Sequence, residues 1–224
     1  MKIYEEEAKM GMQTLEMILN EKIIAIIRGM SCEVVEKLAH AYAKGGIHCV
    51  EVTFDQTSEE NRLVTLEAIR MLSKMEGMCP GAGTVMTAEQ VRLAAEAGAK
   101  YIISPNVDAE VIAETKKLGL ISIPGALTPT EIAYAYKLGA DIVKLFPTSE
   151  LGLSYVKNIK APLKHIPIQA TGGVTPENIV DYIKAGCVCA GVGGKLVNKE
   201  AIAKGDYEAI AEAAKQYRDA LNTL

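Results

Sequence analysis

The chain has 224 residues, with 24 basic and 28 acidic side chains and a formal net charge of −4. A net negative charge disfavours broad nucleic-acid binding but permits a small local anion site. Hydrophobic residues make up 49% of the chain and aromatic residues only 5%, so we expect a large and mainly aliphatic core. The apolar run Ile23–Ile27 is far shorter than the ~20 residues of a membrane-spanning helix, so no membrane association is expected.

The first twenty residues predict an amphipathic helix and not a signal peptide. Ala8, Met12, Leu15 and Leu19 recur at helical spacing, and three glutamates at positions 5–7 exclude a central apolar run. The five cysteines include no Cys-x-x-Cys pair, which indicates small buried hydrophobes in a reducing compartment and not a disulfide or zinc framework. We therefore expect a cytoplasmic protein.

Eight short runs that are typical of β-strands follow, separated by segments rich in Ala, Leu, Glu and Lys. Such alternation predicts parallel strands joined by crossover helices, and eight units favour a (β/α)₈ TIM barrel over a doubly wound open sheet. We expect residues 1–20 to form a helix on a single barrel of residues 21–224. The predicted strands are Lys22–Arg28, His48–Phe54, Met78–Thr84, Lys100–Ser104, Leu120–Pro124, Asp141–Phe146, Pro167–Thr171 and Cys187–Val192.

Local signals mark the ends of several predicted helices. Thr128 and Glu131 have the spacing of a capping box, with Pro129 at the first helical position. Glycines just ahead of the next strand are typical of helix C-termini. These glycines are Gly46, Gly98, Gly119, Gly139 and Gly186.

Charged residues interrupt two strands that should be apolar on both faces. Period-two alternation places Glu51 and Thr53 on one face of the second strand, directed into the barrel, and Lys144 lies in the middle of the sixth. A desolvated lysine has a lowered pKa and can attack a ketone as the neutral amine, while a nearby carboxylate moves the protons. The pattern favours imine chemistry on a carbonyl substrate, although an internal ion pair that only stabilises the barrel is the alternative.

Further polar residues and glycines lie at the carboxyl ends of strands, where barrel enzymes hold their active sites. Arg28 and Thr84 end the first and third strands, and Gln169 and Thr171 share a face of the seventh. The loops after the seventh and eighth strands are the usual phosphate site of this fold. They carry Gly172, Gly173, Gly191, Gly193 and Gly194 here, with Lys195 as either a further cation of the site or a solvated lysine.

Seven motifs in register extend this pattern over nearly the whole chain after Glu21. Together they resemble the 2-keto-3-deoxy-6-phosphogluconate (KDPG) / 4-hydroxy-2-oxoglutarate (KHG) aldolase family, which are class I pyruvate aldolases. The motifs are Gly-Gly-Ile with Val-Glu-Val-Thr (45–53), Gly-Ala-Gly-Thr-Val (81–85), Ile-Ser-Pro-Asn (103–106), Pro-Gly-Ala-Leu-Thr-Pro-Thr-Glu (124–131), Val-Lys-Leu-Phe-Pro (143–147), Ala-Thr-Gly-Gly-Val (170–174) and Gly-Val-Gly-Gly (191–194).

The resemblance implies a role for most of these polar positions. Lys144 would be the Schiff-base lysine and Glu51 the general acid and base, while Thr84 would bind the keto-acid carboxylate. Pro105 and Phe146 would line the pocket. The distal or phosphate end would consist of Thr171, Gly172, Gly173, Gly193 and Gly194. The family also implies a homotrimer that needs no metal or other cofactor and takes a small keto acid as substrate.

One position departs from the family pattern. Many members carry an arginine two residues after the threonine of Glu-Val-Thr, and this chain has Asp55 there. Arg28 is the predicted replacement because its planar fork suits a carboxylate, although a rim salt bridge to Asp55 is the alternative.

The expected reaction is the reversible cleavage of KDPG to pyruvate and glyceraldehyde 3-phosphate, of KHG to pyruvate and glyoxylate, or of both. Three alternatives remain open from the sequence. They are cleavage of the galactonate epimer of KDPG, a phosphate-binding barrel isomerase or synthase, and a non-catalytic barrel that binds sugar acids.

Overall fold

The computed structural model describes residues 2–224, with side chains from Met10 onward. Its helices are α1 (Lys2–Glu21), α2 (Cys32–Lys44), α3 (Glu59–Leu72), α4 (Ala88–Glu96), α5 (Ala109–Lys117), α6 (Pro129–Lys137), α7 (Thr148–Lys160), α8 (Ile179–Lys184), α9 (Lys199–Lys204) and α10 (Tyr207–Leu221). Its strands are β1 (Ile23–Ile27), β2 (Cys49–Thr53), β3 (Cys79–Gly83), β4 (Tyr101–Ile103), β5 (Ile121–Ile123), β6 (Gly125–Ala126), β7 (Val143–Leu145), β8 (Ile168–Thr171) and β9 (Cys189–Val192).

All the strands belong to one parallel sheet that closes on itself. Its order is β5-β4-β3-β2-β1-β9-β8-β7-β6, and only Pro124 separates the two edge strands along the chain. The Ile142 amide, just before β7, donates to the Ser122 carbonyl of β5 at 3.3 Å, and the Lys144 amide donates to the Pro124 carbonyl at 2.9 Å, so both edge strands meet β7. The predicted (β/α)₈ barrel with an N-terminal helix is confirmed, and the open sheet is wrong.

The structure divides the fifth strand position between two short segments, and only the first lies within the predicted run Leu120–Pro124. Residues 121–123 pair with β4, whereas residues 125–126 pair with β7. Pro124 lacks an N–H group and cannot donate to either ladder, which explains the interruption between the two segments.

Helix α1 covers the amino-terminal end of the barrel. Ile18 is fully buried and packs with Ile24 and Ile142 in the barrel interior. The Glu21 carboxylate accepts hydrogen bonds from the backbone amides of His48, at 3.0 Å, and Cys49, at 3.2 Å. The helix thus stabilises the start of β2 as well as the lower interior.

The predicted helix over residues 1–20 is present, but its predicted buried face is partly wrong. Met12 is 67% exposed, and Ile18 is the apolar residue that the helix buries fully. The Ala8 side chain lies outside the described side chains. Because the helix lies across the end of a barrel, its described contacts run from Gly11, which packs against the Gly119 carbonyl, to Ile18.

Side chains alternate between the barrel interior and the helices outside, as the period of two requires. On β2, Val50 and Val52 pack in the outer core, while Cys49 packs in the interior with Tyr101. The same alternation directs Glu51 and Thr53 inward. The charged residue is therefore held inside the barrel, where little solvent reaches it.

The predicted helix boundaries agree with the structure in detail. The Thr128 hydroxyl accepts from the Glu131 amide, and the Glu131 carboxylate accepts from the Thr128 amide, which completes the capping box. The five glycines predicted to end helices adopt left-handed φ angles, from 68° to 105°, and are Gly46, Gly98, Gly119, Gly139 and Gly186.

None of the described helices combines the length and apolar content needed to cross a bilayer.

Candidate active site

Two ionisable side chains lie at one level inside the barrel. Because the strands of the barrel are tilted, inward side chains at one height come from every second strand. The strand registers show which residues share a height. Glu51, Ile103, Lys144 and Gly191 share one such level, which we call the catalytic level. Glu51 is only 1% exposed and Lys144 only 8%. The acid and the amine are thus both removed from bulk water.

Space for the Glu51 carboxylate exists because β3 carries glycine beside it. A Cβ atom at Gly83 would overlap the Glu51 carboxylate. Oxygen Oε2 of Glu51 is buried without a hydrogen-bond partner. Burial raises the pKa of Glu51, and the positive charges of Lys144 and Arg28 oppose that rise only in part. The Glu51 carboxyl group can therefore hold a proton more readily than an exposed glutamate and is free to exchange it with a ligand.

Lys144 approaches an aromatic ring and not a carboxylate. Its Nζ lies 5.2 Å from the centroid of the Phe146 ring. In the part of the chain that the structure describes, no ion pair joins Lys144 to Glu51. The alternative of a purely structural ion pair does not fit, because such a pair would bring the two charges into contact.

A cavity of about 610 Å³ lies at the ends of β1, β2 and β3, and neither Glu51 nor Lys144 is among its lining residues. We call it the Arg28 cavity, and its lining includes Arg28, Thr53, Asp55, Gln56 and Thr84. Nη2 of Arg28 donates to Oγ1 of Thr84 at 2.9 Å. The buried Thr53 hydroxyl has no partner. This end of the site therefore presents a guanidinium and two hydroxyls, which suits a carboxylate.

The backbone at Thr84 is held in an unusual conformation. Its φ is 55°, which is a left-handed value that a β-branched residue rarely adopts. Nε2 of Gln56 donates to the Thr84 carbonyl at 2.6 Å, and Nε2 of Gln90 donates to Oε1 of Gln56 at 2.9 Å. Strain of this kind concentrates at functional sites. Gln56 is not predicted from the sequence as a site residue. Its one signal there is its position two residues after Phe54, at the end of a strand.

The Asp55 carboxylate is occupied by its own loop. It accepts from the Thr57 amide at 2.8 Å, from the Thr57 hydroxyl at 2.6 Å and from the Asn61 side-chain amide at 2.8 Å. These hydrogen bonds lower the pKa of Asp55 to about 2. Arg28 forms no ion pair with Asp55 among the described contacts, so the rim salt bridge is wrong, and the guanidinium remains directed to Thr84.

A second cavity, of about 340 Å³, lies at the ends of β8 and β9. We call it the glycine cavity, because its lining includes Gly172, Gly173, Gly193 and Gly194 beside Phe146 and Thr171. Gly172 and Gly173 have φ of 101° and 71°, which a residue with a side chain adopts only under strain. Their backbone N–H groups thus form part of a concave surface of the kind that binds anions.

Two other predicted residues lie at the edge of the site. Pro105 follows β4, and its carbonyl packs against Gly125. Lys195 lines the glycine cavity, with its Nζ 3.4 Å from the exposed Glu177 carboxylate. Among the described residues, no three side chains of His, Cys, Asp or Glu are grouped so that they could hold a metal ion.

Comparisons with known proteins find aldolases that match most of the chain. A family model described as "KDPG and KHG aldolase" matches residues 15–213. The 2-dehydro-3-deoxy-6-phosphogalactonate aldolase of Escherichia coli K12 is 35% identical over 202 residues, which cover 89% of this chain and 96% of that protein. A 2-dehydro-3-deoxy-phosphogluconate aldolase of Treponema pallidum is 32% identical, over 87% of this chain and 91% of that protein.

A solved structure provides the same result for the fold. The KDPG aldolase of Legionella pneumophila, with pyruvate captured at low pH as a covalent carbinolamine intermediate, is 28% identical with a TM-score of 0.80. The match covers 91% of this chain and 97% of that one. These three relatives are named as aldolases, which excludes the isomerase, synthase and binding-protein alternatives for this chain. By its family model, its relatives and its fold, the chain belongs to the KDPG and KHG aldolase family.

Proposed function

We propose that this chain is a class I aldolase that cleaves KDPG to pyruvate and glyceraldehyde 3-phosphate, KHG to pyruvate and glyoxylate, or both. The observation that carries the proposal is the catalytic level, where a buried amine and a buried carboxyl group face one interior space without neutralising each other. An amine that forms an imine needs a partner that supplies and removes protons, and the two groups together meet that need.

The reaction begins with attack of the Lys144 amine on the C2 ketone of the substrate. Glu51, as the carboxylic acid, protonates the C2 hydroxyl of the carbinolamine, which leaves as water while the nitrogen lone pair forms the protonated imine. The Glu51 carboxylate then removes the proton of the C4 hydroxyl. The C3–C4 bond breaks because the imine accepts its electrons, and the aldehyde leaves. The enamine is protonated at C3, and water releases pyruvate from Lys144.

The two cavities are proposed to hold the two ends of the substrate. Arg28, Thr53 and Thr84 bind the C1 carboxylate, and the guanidinium supplies the positive charge that Asp55 cannot. Pro105 and Phe146 border the reacting carbons. The distal phosphate lies at Thr171 and the N–H groups of the glycine cavity. Two separate anion sites on either side of Lys144 match a substrate that is charged at both ends.

Trapping with borohydride tests the chemistry directly. Reduction in the presence of pyruvate should convert Lys144 to N-(1-carboxyethyl)lysine, which peptide mass spectrometry locates. Lys160 is a matched control in the same sample, because it is a second buried lysine whose Nζ is held by the carbonyls of Lys164, at 3.2 Å, and Ile166, at 2.6 Å. An unmodified Lys144 would contradict the proposal. Turnover of KDPG, its galactonate epimer and KHG, followed as pyruvate, then identifies the preferred substrate.

The setting of the enzyme is proposed from the family resemblance together with the structure. We propose one barrel of residues 21–224 with residues 1–20 as its covering helix, assembled as a homotrimer in the cytoplasm. The five cysteines are free, as a reducing compartment favours. Sedimentation equilibrium should give three times the 24.0 kDa chain mass, and a monomer would contradict the trimer.

A further inference from the structure

A small polar niche lies beside the catalytic level, at Gly191. A Cβ atom built on Gly191 would lie 2.7 Å from Oγ1 of Thr171 and 3.3 Å from Nε2 of Gln169. Two polar side chains of β8, together with Cδ1 of Ile26 at 3.2 Å from the same Cβ position, therefore pack closely against β9, which is possible because β9 carries glycine there. Thr171 and Gly191 also line the glycine cavity, so the niche is continuous with the site.

The polar groups of this niche are unusual for a barrel interior. Gln169 is 1% exposed, and neither its Nε2 nor its Oε1 has a hydrogen-bond partner. The buried hydroxyl of Thr171 is also without a partner. Buried amides are nearly always hydrogen-bonded, because an unsatisfied one loses its interaction with water and gains nothing in return. The family resemblance assigned no role to Gln169, and the strand position would accept an aliphatic residue.

The niche lies next to the reacting carbon of the proposed mechanism. Gln169 is the register partner of Lys144 in the ladder of β7 and β8. Gly191 shares the catalytic level with Lys144 and Glu51. A carbon bonded to the Lys144 nitrogen is therefore within reach of the niche.

The donor and acceptor pattern of the niche selects one type of ligand. The Gln169 amide both donates and accepts, while the Thr171 hydroxyl is left to the distal phosphate. A carboxylate only accepts and would leave Oε1 of Gln169 unsatisfied, and the carboxylate already has its own site at Arg28. A hydroxyl group or a water molecule donates and accepts and needs two or more polar partners.

We infer that Gln169 binds the C2 oxygen of the reaction, as the carbinolamine hydroxyl that leaves and as the water that later hydrolyses the imine. The inference rests on the proposed imine mechanism. In the forward step the C2–O bond breaks, the oxygen leaves with a proton from the Glu51 carboxylic acid, and the nitrogen lone pair forms the C2–N double bond. In hydrolysis a water molecule from solvent takes the same place beside Gln169, adds to C2 and gives a proton to the Glu51 carboxylate.

Isotope exchange in pyruvate alone tests this role. Gln169→Leu removes the amide and keeps the approximate size of the side chain. We expect loss of ¹⁸O from C2-labelled pyruvate to solvent to fall about tenfold, the scale of one lost hydrogen bond to a reacting group. In D₂O, each released pyruvate should carry more deuterium in its methyl group, because the imine persists longer while enamine formation is unaffected.

The control and the contradicting outcomes are distinct. Tyr101→Phe also removes a buried hydroxyl without a partner, deeper in the barrel, and should leave both exchanges at the wild-type level. The inference is overturned if Gln169→Leu leaves the ¹⁸O loss unchanged, or if each released pyruvate carries the wild-type deuterium content. Gln169→Met provides the same test if the leucine variant does not fold. Failure of the mechanism itself differs, because the wild type would then show no ¹⁸O loss and no borohydride adduct.

Discussion

The lower interior of the barrel and the catalytic level are built from the same strands but from different residue types. The lower interior contains Ile24, Ile121 and Ile142, and Ile18 of α1 closes it from below. The catalytic level, one or two inward positions further along, contains Glu51 and Lys144. The strands therefore change from an apolar to an ionisable interior within a few residues.

The difference separates stability from chemistry along one axis. Burial of isoleucine stabilises the barrel, whereas burial of a carboxyl group and an amine that do not pair costs free energy. The unpartnered Oε2 of Glu51 and the amide of Gln169 lie above the isoleucines, whereas the unpartnered Tyr101 hydroxyl belongs to a side chain that packs among them. Substitutions at the catalytic level should therefore reduce activity without loss of stability, and those below it should do the reverse.

The largest expected effect is on Lys144. Lys144→Ala should lower kcat by about a thousandfold or more, the scale of losing a covalent nucleophile, because no imine can form. Its midpoint of urea unfolding should stay at or above that of the wild type, since a buried amine is removed. Retention of aldol cleavage by this variant would contradict the proposed mechanism, and Lys160→Ala serves as the control for loss of a buried lysine.

Glu51→Gln should lower kcat by about 10²–10⁴-fold, because the carboxyl group that moves protons is lost while its shape is kept. The pKa of Glu51 is raised from its ordinary value of 4.5, so the folded chain holds this proton more tightly than the unfolded chain. The stability that protonated Glu51 contributes is present below that value and is lost as the pH rises through the raised folded pKa.

The glutamine variant has no such proton to lose, so it should be more stable than the wild type at neutral pH. This advantage in the free energy of unfolding should shrink as the pH falls. Urea unfolding of both proteins across this pH range measures the difference in their free energies of unfolding. A difference that does not change with pH would show that Glu51 is not destabilised by burial.

The sequence predicts the alternation of strands and helices well because each strand run is short, rich in β-branched residues and bounded by a glycine or a cap. It also predicts Glu51 and Lys144, because a charge in a doubly covered strand has few explanations. The division of the fifth strand at Pro124 depends on which neighbour each segment pairs with, and this is a tertiary property. The same holds for Gln56, which acts through the Thr84 carbonyl.

The buried face of α1 shows a further limit of sequence patterns. Helical spacing predicts a stripe that includes Met12, whereas the structure exposes Met12 and buries Ile18. A periodic pattern identifies a surface that packs along a helix, but α1 lies across the open end of a barrel. The position of the barrel opening, and not the helical spacing of apolar residues, therefore determines which side chain of α1 is buried.

Ile18→Ala tests the lower interior. Removing a fully buried isoleucine should lower the free energy of unfolding by about 2–5 kcal/mol, measured by urea titration. The kcat measured well below the unfolding transition should stay at the wild-type value, because Ile18 packs with Ile24 and Ile142 in the lower interior. Met12→Ala, at an exposed position of the same helix, should change neither quantity. A large fall in kcat for Ile18→Ala would show that the two regions are coupled.

The smallest expected effect is at the rim, where Arg28 is exposed and its charge is partly screened. Arg28→Lys keeps the charge but loses the planar fork that reaches Thr84 and a carboxylate together. Because the carboxylate is bound equally in the ground state and the transition state, KM should rise about tenfold, or about 1.4 kcal/mol, with kcat nearly unchanged. Arg92→Lys is the matched control, since Arg92 pairs with Glu114 on the outer surface at 3.2 Å. A fall in kcat instead of a rise in KM would show that Arg28 acts in the chemical step and not only in substrate binding. The residues that take part in the chemistry would then extend beyond the end of β1.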